Sequence, residues 1–287
     1  MVQPLGLPSV ALTFDPHPAE LLHPSLARHF LTTTQRRAEL LLSLGLDAVF
    51  VLTTTTELLN LSAEEFYSEV LCRYFHSAAI AEGEDFHFGR NRQGTLSDLK
   101  RWADRDSIEL TAVSPVRISG TAVSSSRIRG LLEKGNVTDA NELLVFPYRV
   151  EGQVEQGQRR GKELGFPTAN LGSVYTLVPQ DGVYAGVATI ASGVRYGAAI
   201  HVGKNLTFGA ANKTIEVHLL GFSGDLYGQV LQVEFFQRIR ATEKFEGVDA
   251  LTKQLHADVA QIESLSQLNL EKPQAQRVSL SSASFSG

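Results

Sequence analysis

The hydrophobic pattern of this 287-residue chain changes period once, near Phe146-Pro147-Tyr148, and that change constrains the fold more than any single residue does. Before it, short apolar runs alternate with helical patterns. Residues 8–14 (PSVALTF) and 46–52 (LDAVFVL) read as buried strands, and residues 78–81 and 108–113 as shorter ones. Residues 34–44 carry apolar side chains at helical spacing and stop at Gly45, while Ser62 and Glu65 stand in capping-box register ahead of a helix reaching 75. Strands alternating with helices imply a parallel sheet with right-handed crossovers. After the change, residues 183–190, 196–202, 214–220 and 229–235 alternate with period two between Gly, Pro, Asp and Asn, which suggests a small antiparallel barrel. Leu251, Leu255, Val259 and Ile262 then share one face of a closing helix. Residues 271–287, rich in Ser, Gln and Ala, read as a disordered tail.

Composition narrows the function. Hydrophobic residues at 43% and charged residues at 20% are ordinary globular usage. A net charge of −5 lacks the basic footprint that nucleic-acid backbones require. Cys72 is the only cysteine, which excludes an intrachain disulfide and a cysteine-based zinc site and fits a reducing cytoplasm. No secretory signal pattern opens the chain, and no run of about 20 apolar residues suits a membrane span.

The densest chemistry lies between Gly157 and Asn170 (GQRRGKELGFPTAN). Gly157, Gly161 and Gly165, with Lys162 and two arginines among them, can wrap backbone N–H groups and positive charge around a polyphosphate. The spacing is not that of a P-loop, and Glu163 stands where a magnesium-binding Ser or Thr belongs. A glycine-rich hairpin with solvated basic side chains fits the same residues. Thr168 and Asn170, two apart on an extended segment, point to one side and offer hard oxygen ligands for magnesium. On residues 214–219, Ile215, Val217 and Leu219 form one face, and Thr214, Glu216 and His218 the other. That polar face reads either as solvated or as carrying Glu216 as a general base beside the phosphate.

Residues 161–171 (GKELGFPTANL), 182–185 (GVYA), 215–228 (IEVHLLGFSGDLYG) and 238–245 (RIRATEKF) resemble the motifs of the riboflavin kinase family, in family order. The resemblance implies a six-stranded barrel, ATP and riboflavin as substrates, Mg2+ as cofactor and FMN as product. By it, Gly157, Gly161, Lys162, Gly165, Thr168 and Asn170 serve ATP, with Thr168 and Asn170 also holding the metal. Glu216 takes the hydroxyl proton, and Arg240 and Phe245 lie near the flavin. The family's usual Asn-Val-Gly and Pro-Thr-Phe are here His201-Val202-Gly203 and Leu206-Thr207-Phe208.

The first half resembles the adenylyltransferase domain of bifunctional FAD synthetases, through residues 13–18 (TFDPHP), 83–89 (GEDFHFG) and 123–129 (VSSSRIR). That likeness implies a Rossmann-like α/β fold in which Ser124, Ser125, Ser126 and Arg129 hold the ATP triphosphate at a helix start. The family's His-x-Gly-His, whose histidines stabilise charge on the α-phosphate, does not occur in this sequence. The expectation is therefore an N-terminally incomplete α/β domain over 1–147, a kinase barrel over 148–266 and a tail over 267–287. A sheet without its first strand exposes an apolar edge that favours homo-oligomers. Three readings follow: a riboflavin kinase with a deficient adenylyltransferase half, a fully bifunctional enzyme, or a non-catalytic flavin or nucleotide sensor. Intact Thr168, Asn170 and Glu216 speak against the sensor. The remaining histidines read as structural or surface residues.

Overall fold

The computed structural model describes residues 6–22, 30–157, 160–204, 213–270 and 282–283. The chain divides into two compact units, one of residues 1–25, 34–123 and 276–287, the other of 26–33 and 124–275.

In the first unit β1 (Val10–Asp15) leads to α1 (Pro18–Leu22), α2 (Thr34–Ser43) and β2 (Ala48–Thr53), which lies parallel to β1 in continuous register. After α3 (Thr56–Asn60), α4 (Ala63–Glu65) runs directly into a π-helix, Phe66–Tyr74. The capping box expected from the sequence starts it: Glu65 N–H donates to Ser62 Oγ at 3.2 Å and Ser62 N–H to Glu65 Oε2 at 2.7 Å. Then come β3 (Ala79–Gly83), the short antiparallel pair β4 (His87–Phe88) and β5 (Gly94–Thr95), α5 (Leu96–Arg105) and β6 (Glu109–Val113). β6 pairs parallel with β3. A second short pair, β7 (Arg117–Ile118) and β8 (Thr121–Ala122), ends the unit's main stretch. The expected parallel pairing is present, but it forms two sheets rather than one. Both line a core of Leu52, Phe66, Tyr67, Val70, Leu99 and Trp102, onto which Leu12, Phe14, Ile80 and Leu110 pack.

The second unit opens with α6 (Ser125–Glu133) and α7 (Val137–Glu142), followed by β9 (Arg149–Glu155), α8 (Arg160–Glu163), β10 (Ala169–Gly172), β11 (Gly182–Thr189), β12 (Arg195–Lys204), β13 (Lys213–Leu219) and β14 (Val230–Arg240). The six strands close into an antiparallel barrel in the order β10-β13-β12-β11-β14-β9. The helix α9 (Val248–Leu270) packs on its outer wall, where Ile262 meets Val183 and Ala185. Inside, Tyr184 and Phe235 meet edge to face at 5.3 Å. Ile262 is fully buried. Replacing it with Ala is expected to destabilise the barrel unit by about 2–5 kcal/mol, read from the urea midpoint, because α9 loses its central contact and leaves a void.

Two boundaries differ from the sequence expectation. The division expected between 147 and 148 falls inside the second unit, since α6 and α7 belong with the barrel. Asn141 explains it: its Nδ2 donates to the Phe235 carbonyl of β14 at 2.7 Å, and its Oδ1 accepts from Tyr148 N–H at 2.8 Å. Thr138 Oγ1 adds a bond to the Phe236 carbonyl. Of the tail expected over 267–287, residues 267–270 belong to α9 and β15 (Ser282–Ala283) pairs parallel to β2, while 271–281 and 284–287 lie outside the described residues.

Candidate functional site

Strand register decides which of the sequence-selected residues meet. Asn170 of β10 stands directly opposite Glu216 of β13, and opposite Glu155 of β9 on its other side. Glu216 in turn faces His201 of β12. Directly opposed residues share a face, with Cβ atoms about 4.5–5.5 Å apart. Glu155, Asn170, Glu216 and His201 thus form one polar row across four strands. The adjoining row, Ala169, Val217, Ile200 and Tyr184, is buried and fills the barrel. Alternation places the polar row outside, and its next member, Val183, packs against α9.

Asn170, Glu216 and Thr168 are half-buried. Among the described residues, their side chains have no hydrogen-bond partner in the protein. Their polar atoms are therefore open to water or to a ligand.

The glycine segment folds over that row. Phe166 N–H donates to the Gly161 carbonyl at 2.8 Å, closing the loop. A Cβ on Gly157 would overlap the Asn170 amide, and one on Gly161 would press on the Phe166 carbonyl while standing 3.6 Å from Thr168 Oγ1. Glycine at both places lets the loop lie this close to Asn170 and to the Phe166 carbonyl. Gly165 takes a positive φ of 84° at the turn. The Lys162 side chain lies outside the described residues, as do Gln158 and Arg159.

Two histidines fix the loop's far end. His218 donates from Nδ1 to the Pro167 carbonyl at 2.8 Å. Its ring and that of His256, from α9, both meet Phe166 edge-on, with centroids 5.6 and 4.9 Å away. These are structural roles, as the sequence suggested for both. Glu155 and His201, which the sequence did not single out as site residues, become visible only through register.

Arg240 is more committed than its expected place beside a flavin implies. Its Nε and Nη2 grip the Asp258 carboxylate of α9 at 3.0 and 2.8 Å, and Nη1 donates to the Ala241 carbonyl at 3.1 Å. The guanidinium carbon lies 5.5 Å from the Phe245 ring centroid. This arrangement ties the segment after β14 to α9.

At the start of α6, Ser124 is the N-cap, accepting from Arg127 N–H at 3.2 Å. Ser125 and Ser126 are exposed in the first turn, and Arg129 Nη2 donates to Ser126 Oγ at 3.1 Å.

Comparison with known proteins covers both halves of the chain. The family model for riboflavin kinase covers residues 144–266, and that for FAD synthetase covers residues 2–127. The bifunctional riboflavin kinase/FMN adenylyltransferase of Listeria monocytogenes is 34% identical over 256 residues, 88% of this chain and 81% of that protein. This chain belongs to the bifunctional riboflavin kinase/FMN adenylyltransferase family. Further members include the Pseudomonas fluorescens protein, 34% identical over 91% of this chain and 84% of its own, and the Escherichia coli K12 protein, 30% identical over 88% and 81%. A solved chain described as a macrolide-efflux protein from Streptococcus pneumoniae superposes with a TM-score of 0.79 at 34% identity, over 90% of this chain and 84% of that one. Among the described residues of this family member, no helix is long and apolar enough to cross a membrane. The FAD synthetase match ends at Arg127, so the basic pair Arg127 and Arg129 straddles its limit, while the riboflavin kinase match takes in the whole barrel and most of α9.

Proposed function

We propose that the barrel unit transfers the γ-phosphoryl group of ATP to the 5′-hydroxyl of riboflavin, with Glu216 as general base and Thr168 and Asn170 as the metal-binding pair. The observation that carries this reading is the placement of Asn170 directly opposite Glu216, under the glycine loop. Phosphoryl transfer needs little from protein beyond positioning, charge neutralisation and an acceptor for the hydroxyl proton. The row supplies each. Gly157, Gly161, Lys162 and Gly165 belong to the loop that holds the polyphosphate. The ribityl O–H proton passes to the Glu216 carboxylate as its oxygen bonds the γ-phosphorus, and the bond from that phosphorus to the ADP oxygen breaks.

The hydroxyl of Thr168 and the amide oxygen of Asn170 are hard ligands without partners among the described residues, which fits Mg2+. The ion would neutralise phosphate charge there. Replacing either residue with Ala is expected to raise KM for Mg-ATP roughly tenfold or more, while riboflavin affinity stays within about twofold, since one oxygen ligand to a hard cation is lost. Calorimetry with Mg-nucleotide and with riboflavin separates the two. Unchanged Mg-nucleotide affinity in both variants would remove Thr168 and Asn170 from this role.

Arg240 and Phe245 bear on the flavin through the segment they hold against α9. Ser124, Ser125, Ser126 and Arg129 form the triphosphate end of the adenylyltransferase reaction, their exposed hydroxyls and guanidinium standing at a helix N-terminus. A second reading, full bifunctionality, draws support from the named relatives and the FAD synthetase match. The sequence contains no His-x-Gly-His. In either reading FMN is the product of the barrel unit. Incubation with riboflavin, ATP and Mg2+, followed by separation of FMN from FAD, tests both readings at once.

A further inference from the structure

The register around the barrel brings one more side chain to Glu216. We propose that His201 is the positioning residue for that carboxylate, offering an imidazole N–H that holds it toward the substrate hydroxyl. The proposal rests on Glu216 being the general base.

Three observations support it. First, His201 lies directly opposite Glu216 on the adjacent antiparallel strand and on the same outer face, so the two Cβ atoms stand about 4.5–5.5 Å apart. At that separation a histidine and a glutamate can meet by rotamer choice alone. Second, His201 is half-buried, and its side chain has no hydrogen-bond partner among the described residues. Its polar nitrogens are thus available. Third, its ring leans on Gly203, two residues along the same strand, where a Cβ would come within 2.9 Å of His201 Cε1. Glycine at 203 leaves the imidazole room on this face.

Among the described residues on the adjoining strands, Glu216 is the one left to partner it. Along β12 the same face carries Ala199 and Gly203, neither with a polar side chain. On β11 the opposed residue is the apolar Val183. Beyond it, Arg240 of β14 is already bound to Asp258 of α9, and that ion pair closes the far side. On β13, Thr214 lies one pair further on, opposite Gly203, and its hydroxyl donates to the Gly203 carbonyl at 3.4 Å. Lys213 at the end of that strand reaches the Pro179 carbonyl at 2.7 Å. Charge-assisted hydrogen bonds to a carboxylate are about twice as strong as neutral ones and fix its orientation. A base held in one rotamer reaches the reactive geometry more often than a free one.

The test is a double-mutant cycle on the full chain, with kcat and both KM values measured and thermal unfolding followed for every variant. His201→Phe keeps a ring against Gly203 and removes the N–H donors. His201→Asn restores a donor. We expect His201→Phe to lower kcat roughly 10- to 100-fold with both KM values within about twofold, and His201→Asn to stay within about threefold of the parent. In a Glu216→Gln background, His201→Phe is expected to change kcat by less than about twofold, because the carboxylate it positions is gone. An equal fold-loss in both backgrounds, or a parental kcat for His201→Phe, overturns the proposal. A parental kcat for Glu216→Gln alone would instead overturn the base assignment, so the two failures are distinct. Should His201→Phe not fold, His201→Gln and His201→Leu, similar in size but differing in the donor, repeat the comparison, and equal kcat in those two overturns the proposal likewise.

Discussion

Glu216→Gln is expected to lower kcat for FMN formation by about 100-fold or more while leaving riboflavin and Mg-ATP binding nearly unchanged. Glutamine keeps the shape and most of the hydrogen-bonding reach of the side chain but cannot accept the hydroxyl proton. The loss should therefore fall on kcat rather than on either KM, the pattern of an interaction made in the transition state. Glu216 sits in mid-strand on β13, flanked in register by Asn170 and His201 and backed by the buried Ile215 and Val217. The substitution is isosteric and half-exposed, so a folding defect would not mimic the effect. Steady-state kinetics together with calorimetry for both substrates decide it. Normal turnover by the Gln variant would show that the proton leaves by another route.

The other large effect concerns the second product. Arg129→Ala is expected to slow FAD formation from FMN and Mg-ATP roughly 100-fold, with FMN formation from riboflavin within about twofold of the parent. In adenylylation, negative charge builds on the phosphate oxygens of ATP, and a preorganised donor there is worth roughly 100- to 1,000-fold. Arg129 stands one turn into α6, where its Nη2 donates to Ser126 Oγ at 3.1 Å. A parental rate of FAD formation by the Ala variant, in an assay that separates FAD from FMN, would remove Arg129 from this role.

Much of the fold could be read along the chain because its signals are local. The period-two segments after residue 148 fall within one to five residues of β11, β12, β13 and β14, and the capping box at Ser62 and Glu65 forms as its spacing requires. β9 and β10 were less legible. β10 has only four residues, two of them glycine or alanine, and it owes its strand conformation to partners on both sides. That α6 and α7 lie with the barrel was not legible for a similar reason: no short-range spacing says which surface covers them, and the choice rests on Asn141 bonding to β14 and to Tyr148.

For the site, sequence alone determined the chemical inventory: a glycine loop with basic residues, a hydroxyl and an amide two apart, and a carboxylate on a polar strand face. These follow from residue type and short-range spacing, which backbone geometry converts directly into a shared side. Only the tertiary structure decided that Asn170 and Glu216 are opposed, that His201 joins them, and that Arg240 is bound to Asp258. Register between strands far apart in sequence is set by barrel closure and by the burial of the inward row, and a shift of one residue would turn every one of these side chains to the other face.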